Sequence, residues 1–181
     1  MIINETPIKD LFEITPQKFD DERGLFFELY HKERYQHFIG NNADFVQDNV
    51  SRSKKNTLRG IHLQLDNPQG KLVSVLHGSI YDVAIDLRKE SETYKKWYAV
   101  ILSEENLKQF WIPEGFGHAF LSLEDNTIVN YKCTNFYDPS SEVTLLWNDS
   151  DLRIDWPCDL PHLSKKDREG ISLKDFILNE K

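Results

Sequence analysis

Between Lys71 and Trp147 the chain runs through short segments rich in β-branched and aromatic residues, separated by polar turns. Leu72 to Leu76 and Ile80 to Leu87 flank His77-Gly78-Ser79 and predict a β-hairpin. Trp97 to Leu102, Gln109 to Ile112, His118 to Leu123, Thr127 to Cys133 and Val143 to Trp147 follow as strands. Ser103-Glu104-Glu105-Asn106, Pro113-Glu114-Gly115 and Glu124-Asp125-Asn126 supply turn chemistry between them. So many short strands at such spacing predict a sandwich or barrel.

The flanks add smaller elements. Residues 8 to 30 read as two extended pieces around Asp20-Asp21-Glu22-Arg23-Gly24, and His31 to Ile39 as a short helix ending near Gly40-Asn41-Asn42. Phe45 to Ser51 reads as a strand whose imperfect alternation leaves room for a side facing a site. Ser164-Lys165-Lys166-Asp167 and Ser172-Leu173-Lys174-Asp175 each resemble a helix start, with Asp where a capping box carries Glu or Gln. At 181 residues, with no repeat or linker, one domain over 1–181 is expected. With 39% hydrophobic and 29% charged residues, the composition is that of a soluble globular protein. A formal net charge of -8 argues against a nucleic-acid binder, because sequence-independent affinity for DNA comes from Lys and Arg neutralising phosphates. Cys133 and Cys158 lack metal-like spacing and read as ordinary thiols. No run has the length of a signal-peptide core or a membrane span, so a cytoplasmic protein is expected.

The chemistry is expected in Leu58-Arg59-Gly60-Ile61-His62-Leu63-Gln64 and the following Lys71-Leu72-Val73-Ser74-Val75. Histidine titrates near neutral pH, and Arg59 and Lys71 are suited to hold an anionic or oxygen-rich ligand beside His62. Gly60 with His62, and Pro113-Glu114-Gly115-Phe116-Gly117-His118, resemble the two motifs of cupin barrels, many of which bind a metal. The usual first motif places two histidines one residue apart, and position 64 here is Gln. One imidazole at His62 and one at His118 make a poor first-row site, so no metal is expected. His62 then reads as a general base or as a satisfied buried histidine. A base needs an orienting acceptor on its other nitrogen; Asp167 is the candidate, and its plainer reading is a helix cap. Tyr131 is either a proton donor facing a barrel interior or a strand aromatic placed for packing. Arg59 and Lys71 have the alternative of being surface charges, and Arg23 of decorating a turn.

Taken together, the motifs resemble the dTDP-4-dehydrorhamnose 3,5-epimerase family. The resemblance runs from Phe19 to Asp167, through Asp21-Glu22-Arg23-Gly24-Leu25-Phe26-Phe27-Glu28, Phe45-Val46-Gln47-Asp48-Asn49, Leu58 to Gln64, Gln69-Gly70-Lys71-Leu72-Val73, Ile112 to His118 and Trp147-Asn148-Asp149. It implies a mainly β, cupin-like jelly-roll barrel with short peripheral and C-terminal helices. It also implies a cofactor-free homodimer in deoxysugar synthesis for surface polysaccharides, inverting C3 and C5 of a dTDP-linked 4-keto-6-deoxy-glucose. On that resemblance His62 is the base, Asp167 orients it, Tyr131 is the acid across the ring, and Lys71 lies near the keto oxygen. Arg23, Glu28, Gln47, Asp48, Asn49, Arg59, Lys71, His118, Glu142 and Lys166 would bind the sugar nucleotide, with Phe19, Phe26 and Tyr137 in the pocket wall.

The assignments make chemical sense. A C4 ketone acidifies the protons on both neighbouring carbons, so one base and one enolate-stabilising cation serve both inversions in turn. Ser74 stands where the family commonly has arginine, and Gly117-His118-Ala119 replaces its frequent Ala-His-Gly order. Two other readings remain open: a sugar-nucleotide 3,4-ketoisomerase or one-carbon epimerase, and a non-catalytic sugar-nucleotide binding barrel.

Overall fold

The computed structural model describes residues 1–40 and 44–179. The predicted helix end at Asn41-Asn42 lies outside the described residues. Strands β1 (Ile2–Glu5), β2 (Phe12–Thr15), β3 (Lys18–Asp21) and β4 (Gly24–Phe27) precede helix α1 (Lys32–Ile39). There follow β5 (Gln47–Ser53), β6 (Leu58–Gln64), β7 (Lys71–His77), β8 (Ser79–Asp86), β9 (Trp97–Ser103), β10 (Gln109–Ile112), β11 (Phe116–Ser122), β12 (Thr127–Cys133) and β13 (Glu142–Thr144). Short helices α2 (Lys165–Arg168) and α3 (Leu173–Asn179) close the described chain. A six-stranded sheet in the order β1-β2-β10-β7-β12-β5 faces a five-stranded sheet in the order β13-β6-β11-β8-β9. This is a jelly-roll-like β sandwich. Strands β3 and β4 form a separate two-stranded ribbon around the predicted Asp20 to Gly24 turn. Among the described residues no helix is long and apolar enough to cross a membrane.

One expected pairing is corrected. The segments on either side of His77-Gly78-Ser79 are strands, but β7 pairs with β10 and β12 while β8 pairs with β11 and β9. Gly78, at φ +75°, turns the chain from one sheet into the other. A β-branched run announces a strand; it does not say on which sheet its partners lie.

The core lies between the sheets, where Val73, Val75, Phe110, Ile112 and Val129 meet Ile80, Ala84 and Phe120. The outer face of the five-stranded sheet is not left to solvent: Ile61, Leu63, Val83 and Ile85 pack under Leu145, Leu152, Leu173 and Phe176. Helix α1 covers part of the other sheet, its buried Tyr35 packing with Ile14, Leu72 and Trp111. Both predicted C-terminal helix starts are capped. The Ser164 hydroxyl accepts from the Asp167 amide at 3.1 Å and the Ser172 hydroxyl from the Asp175 amide at 3.0 Å.

Strand β6 departs from simple alternation. His62 pairs with His118 but Arg59 pairs with Phe120, so four residues of β6 oppose three of β11. The extra residue makes a β-bulge, which re-aims the side chains on either side of it. Gly60 sits there at φ +117°, and a Cβ on it would lie 2.5 Å from the His118 carbonyl oxygen and 2.6 Å from Ala119 Cβ. Arg59 and His62, which strict alternation would send to opposite faces, consequently open onto one cavity. We expect Gly60→Ala to lower unfolding free energy by at least about 2 kcal/mol, from clash and backbone strain together. Urea unfolding checks this, and an unchanged midpoint would exclude so tight an approach of β6 to β11.

Candidate active site

The cavity is lined from both sheets and has a volume of about 440 Å3. Strand β5 supplies Gln47, Asn49 and Ser51, whose half-buried side chains alternate with exposed Asp48, Val50 and Arg52. Arg59 and His62 come from β6, Lys71 from β7, His118 and Phe120 from β11, and Tyr131 from β12. Tyr137, Glu142, Lys166 and Asp167 complete the side nearest the C-terminal helices. Residues as distant in sequence as Gln47 and Asp167 are thereby brought around one space by the pairing of β6 with β11 and of β7 with β12.

His62 Nε2 lies 2.6 Å from Asp167 Oδ1. An ionised carboxylate only accepts, so Nε2 donates and the lone pair of the neutral ring is left on Nδ1. That atom has Glu142 Oε1 4.0 Å away. Asp167 is buried, and its Oδ2 accepts from the Ser164 hydroxyl at 2.7 Å. The cap and the histidine partner are therefore one residue, with its amide closing the helix start and its carboxylate holding the ring. Burial works to raise the Asp167 pKa. The hydrogen bonds from His62 and Ser164 outweigh it and hold the carboxyl below the ordinary aspartate value.

Two further groups face the cavity with their polar ends unengaged. Among the described residues neither the Lys71 ammonium nor the Tyr131 hydroxyl makes a hydrogen bond or ion pair. Burial lowers the pKa of Lys71, against the pull of Cys133, Glu142 and Asp82. Burial also raises that of Tyr131 and so keeps the proton on its hydroxyl, an effect that Arg59 partly offsets. Glu142 accepts from Lys166 Nζ at 2.7 Å and from the Tyr137 hydroxyl at 2.8 Å. Burial would raise its pKa, but those bonds bring it below the usual glutamate range. Arg59 is anchored by Nε donating to Ser53 Oγ at 3.1 Å. Gln47 donates to Asn49 Oδ1 at 3.0 Å while its own Oε1 accepts from the Tyr137 amide at 2.8 Å.

Gln64, where a cupin metal site would have histidine, is committed to structure: Nε2 donates to the Asn67 and Phe136 carbonyls and Oε1 accepts from the Asp138 amide. Among the described residues no cluster of three or more His, Cys, Asp and Glu side chains is disposed to hold a metal.

Three of the predicted binding residues lie outside the cavity lining. Asp48 points to the opposite face of β5 and pairs with Lys132 at 2.7 Å. Arg23 pairs with Asp21 at 2.6 Å on the β3–β4 ribbon, and Glu28 just beyond the ribbon pairs with Arg34. Phe19 and Phe26 stand on the same ribbon, 55% and 69% exposed. Ser51, Phe120 and Ser164, the last expected only as a helix cap, also line the cavity, and Asp82 stands behind it without any role that the sequence assigns. Asp82 did leave a signal, a single acid in the apolar run Ile80-Tyr81-Asp82-Val83-Ala84-Ile85.

Fold and cavity place the chain in the cupin-like jelly-roll class, with His62 contributed by one sheet and Tyr131 by the other. The chain belongs to the dTDP-4-dehydrorhamnose 3,5-epimerase family, whose model matches residues 5–175. It is 49% identical over 182 residues to the dTDP-4-dehydrorhamnose 3,5-epimerase of Salmonella typhimurium, covering 99% of this chain and 100% of that one. The Legionella pneumophila epimerase in complex with dTDP-4-keto-L-rhamnose superimposes with a TM-score of 0.93 at 46% identity, over 96% of this chain and 93% of that one. A 3'-monoepimerase from Streptomyces bikiniensis in complex with dTDP-quinovose does so with a TM-score of 0.91 at 30% identity, over 97% and 89%.

The depressed Asp167 pKa carries a stability consequence with a definite sign. Because the folded value lies below the unfolded one, the unfolded chain binds the proton first, and stability is lost as pH falls below about 4. We expect Asp167→Asn to be less stable than the parent at pH 7 and the gap to narrow in that acidic window. Thermal melts between pH 7 and 3 read it directly; a gap constant with pH would show that the carboxylate charge contributes nothing.

Proposed function

We propose that this chain inverts C3 and C5 of dTDP-4-dehydro-6-deoxy-D-glucose, giving dTDP-4-dehydro-L-rhamnose for surface polysaccharide synthesis. The observation that carries the reading is the imidazole of His62, held through Nε2 by Asp167 with Nδ1 left for a substrate proton, in a cavity shared with the unengaged Tyr131 and Lys71. His62 removes the proton from the carbon next to the C4 ketone, and Lys71 stabilises the developing enolate oxygen. Tyr131 then protonates the carbon from the other face, and the second inversion reuses the same groups once His62 has released its proton to solvent and Tyr131 has regained one from it. Arg59, Gln47, Asn49, His118, Glu142 and Lys166 grip the sugar nucleotide from the cavity walls.

We further infer that residues 1–181 act as one catalytic domain and pair as a homodimer. Arg23 and Glu28 lie outside their own chain's cavity, and the ribbon that carries Phe19, Leu25 and Phe26 presents exposed apolar surface, as a segment reaching a second copy would. A dimer by light scattering, with Arg23→Ala raising KM about tenfold, is the expected result. A monomer with unaltered KM would remove the second copy from the reading. A cytoplasmic location fits two cysteines that form no disulfide.

The decisive experiment is incubation with the 4-keto substrate in heavy water, read by NMR. Deuterium should enter at both C3 and C5. Incorporation at one carbon only would favour the one-carbon alternative, for which the likeness to the Streptomyces monoepimerase speaks. Binding without any incorporation would favour a non-catalytic barrel. His62→Ala should reduce incorporation at both carbons by a factor of about 100 or more; exchange at the parent rate would sink the base assignment. Tyr131→Phe should depress product formation more than proton exchange, and equal losses would argue against a dedicated acid.

A further inference from the structure

Asp82 is fully buried on β8, and its position alternates with the core residues Ile80 and Ala84, so that its side chain points between the sheets. A carboxylate in an apolar interior is costly unless bound, and here the binding is one-sided. Oδ1 lies 2.8 Å from His118 Nε2, whereas Oδ2 has no hydrogen-bond partner among the described residues. Packing alone supplies no reason for an acid at this place.

The pair has a chemical consequence at the cavity. A carboxylate accepts and cannot donate, so His118 Nε2 carries a proton. Burial lowers the His118 pKa, with Lys71 and His62 adding to the effect and Asp82 opposing it, which leaves the ring neutral and the lone pair on Nδ1. His118 lines the cavity directly opposite His62 across β6 and β11. Its Nδ1 makes no hydrogen bond among the described residues, and it is not among the buried side-chain atoms left without a partner. An atom neither bonded nor sealed off opens to the cavity.

We propose that Asp82 is a positioning residue that holds His118 in its Nε2–H form, so that Nδ1 accepts a hydrogen bond from a sugar hydroxyl rather than pairing with a phosphate. The proposal rests on the sugar-nucleotide reading of the cavity. It assigns a polarity to that part of the wall: a neutral acceptor can grip a hydroxyl donor and has nothing to offer a phosphate oxygen.

The test uses the full chain labelled with 15N-histidine, titrated with dTDP and with dTDP-glucose, a sugar nucleotide lacking the reactive ketone. Expected is a His118 protonated at Nε2 and bare at Nδ1, with an Nδ1 resonance that moves when dTDP-glucose binds and stays when dTDP alone binds. An unprotonated Nε2, an equal shift with dTDP alone, or an unmoved Nδ1 under saturating dTDP-glucose would each overturn it. Failure of dTDP-glucose to bind at all would overturn the sugar-nucleotide reading with it, which separates the two. Asp82→Asn, checked for folding by thermal melting, should lose the single tautomer and raise KM about tenfold with a smaller change in kcat, the size of one neutral hydrogen bond. A folded Asp82→Asn with unchanged KM and tautomer refutes the proposal, and if that variant does not fold, the labelled parent protein decides alone.

Discussion

The approach of β6 to β11 at Gly60 is the constraint on which the site depends. A residue with no Cβ lets the His118 carbonyl and Ala119 come where any side chain would collide, and the bulge this permits puts one extra residue into β6. Arg59 and His62 thereby share a face while Ile61 and Leu63 stay on the opposite one, under the C-terminal segment. The same strand builds the cavity wall and anchors the outer core.

Charge is distributed through the cavity in linked pairs rather than as a field of one sign. His62 is matched by Asp167, His118 by Asp82, and Lys166 by Glu142. Asp167 and Asp82 each accept from an imidazole, and Glu142 holds the half-exposed ammonium of Lys166. Lys71 and Tyr131 stand apart because nothing in the described chain occupies their polar ends. Preorganised groups of this kind are worth more in a desolvated pocket than in water, since they need no reorganisation when charge develops on a substrate.

Much of this was legible beforehand, and the misses have physical reasons. Strand positions from Trp97 to Cys133 followed from β-branched runs and polar turns, since those signals are local. The capping boxes at Ser164 and Ser172 were likewise readable from residues three apart. The expected pairing of Leu72–Leu76 with Ile80–Leu87 failed, because a short turn serves equally well for a hairpin and for a corner between sheets. The sequence offers Asp167 as cap or as partner and it is both, because one residue has an amide and two carboxylate oxygens to distribute. Asp48 belonged to a telling motif, yet its position on β5 turns it outward, where strand alternation leaves no choice.

The sequence by itself determined the fold class, the short strands, the helix caps and, through ordered motifs along most of the chain, the family. It also limited the candidate proton-transfer groups to a few side chains, because few residue types exchange a proton near neutral pH. Only the tertiary structure decided which of those side chains meet. His62 and Asp167 lie 105 residues apart, and their contact exists because sheet register, a bulge at Gly60 and a docked C-terminal turn close that gap. Register and docking are set by packing between distant segments, a property that no local pattern carries. For the same reason Asp82, a lone acid in an apolar strand, acquired its meaning only when β11 placed His118 beside it.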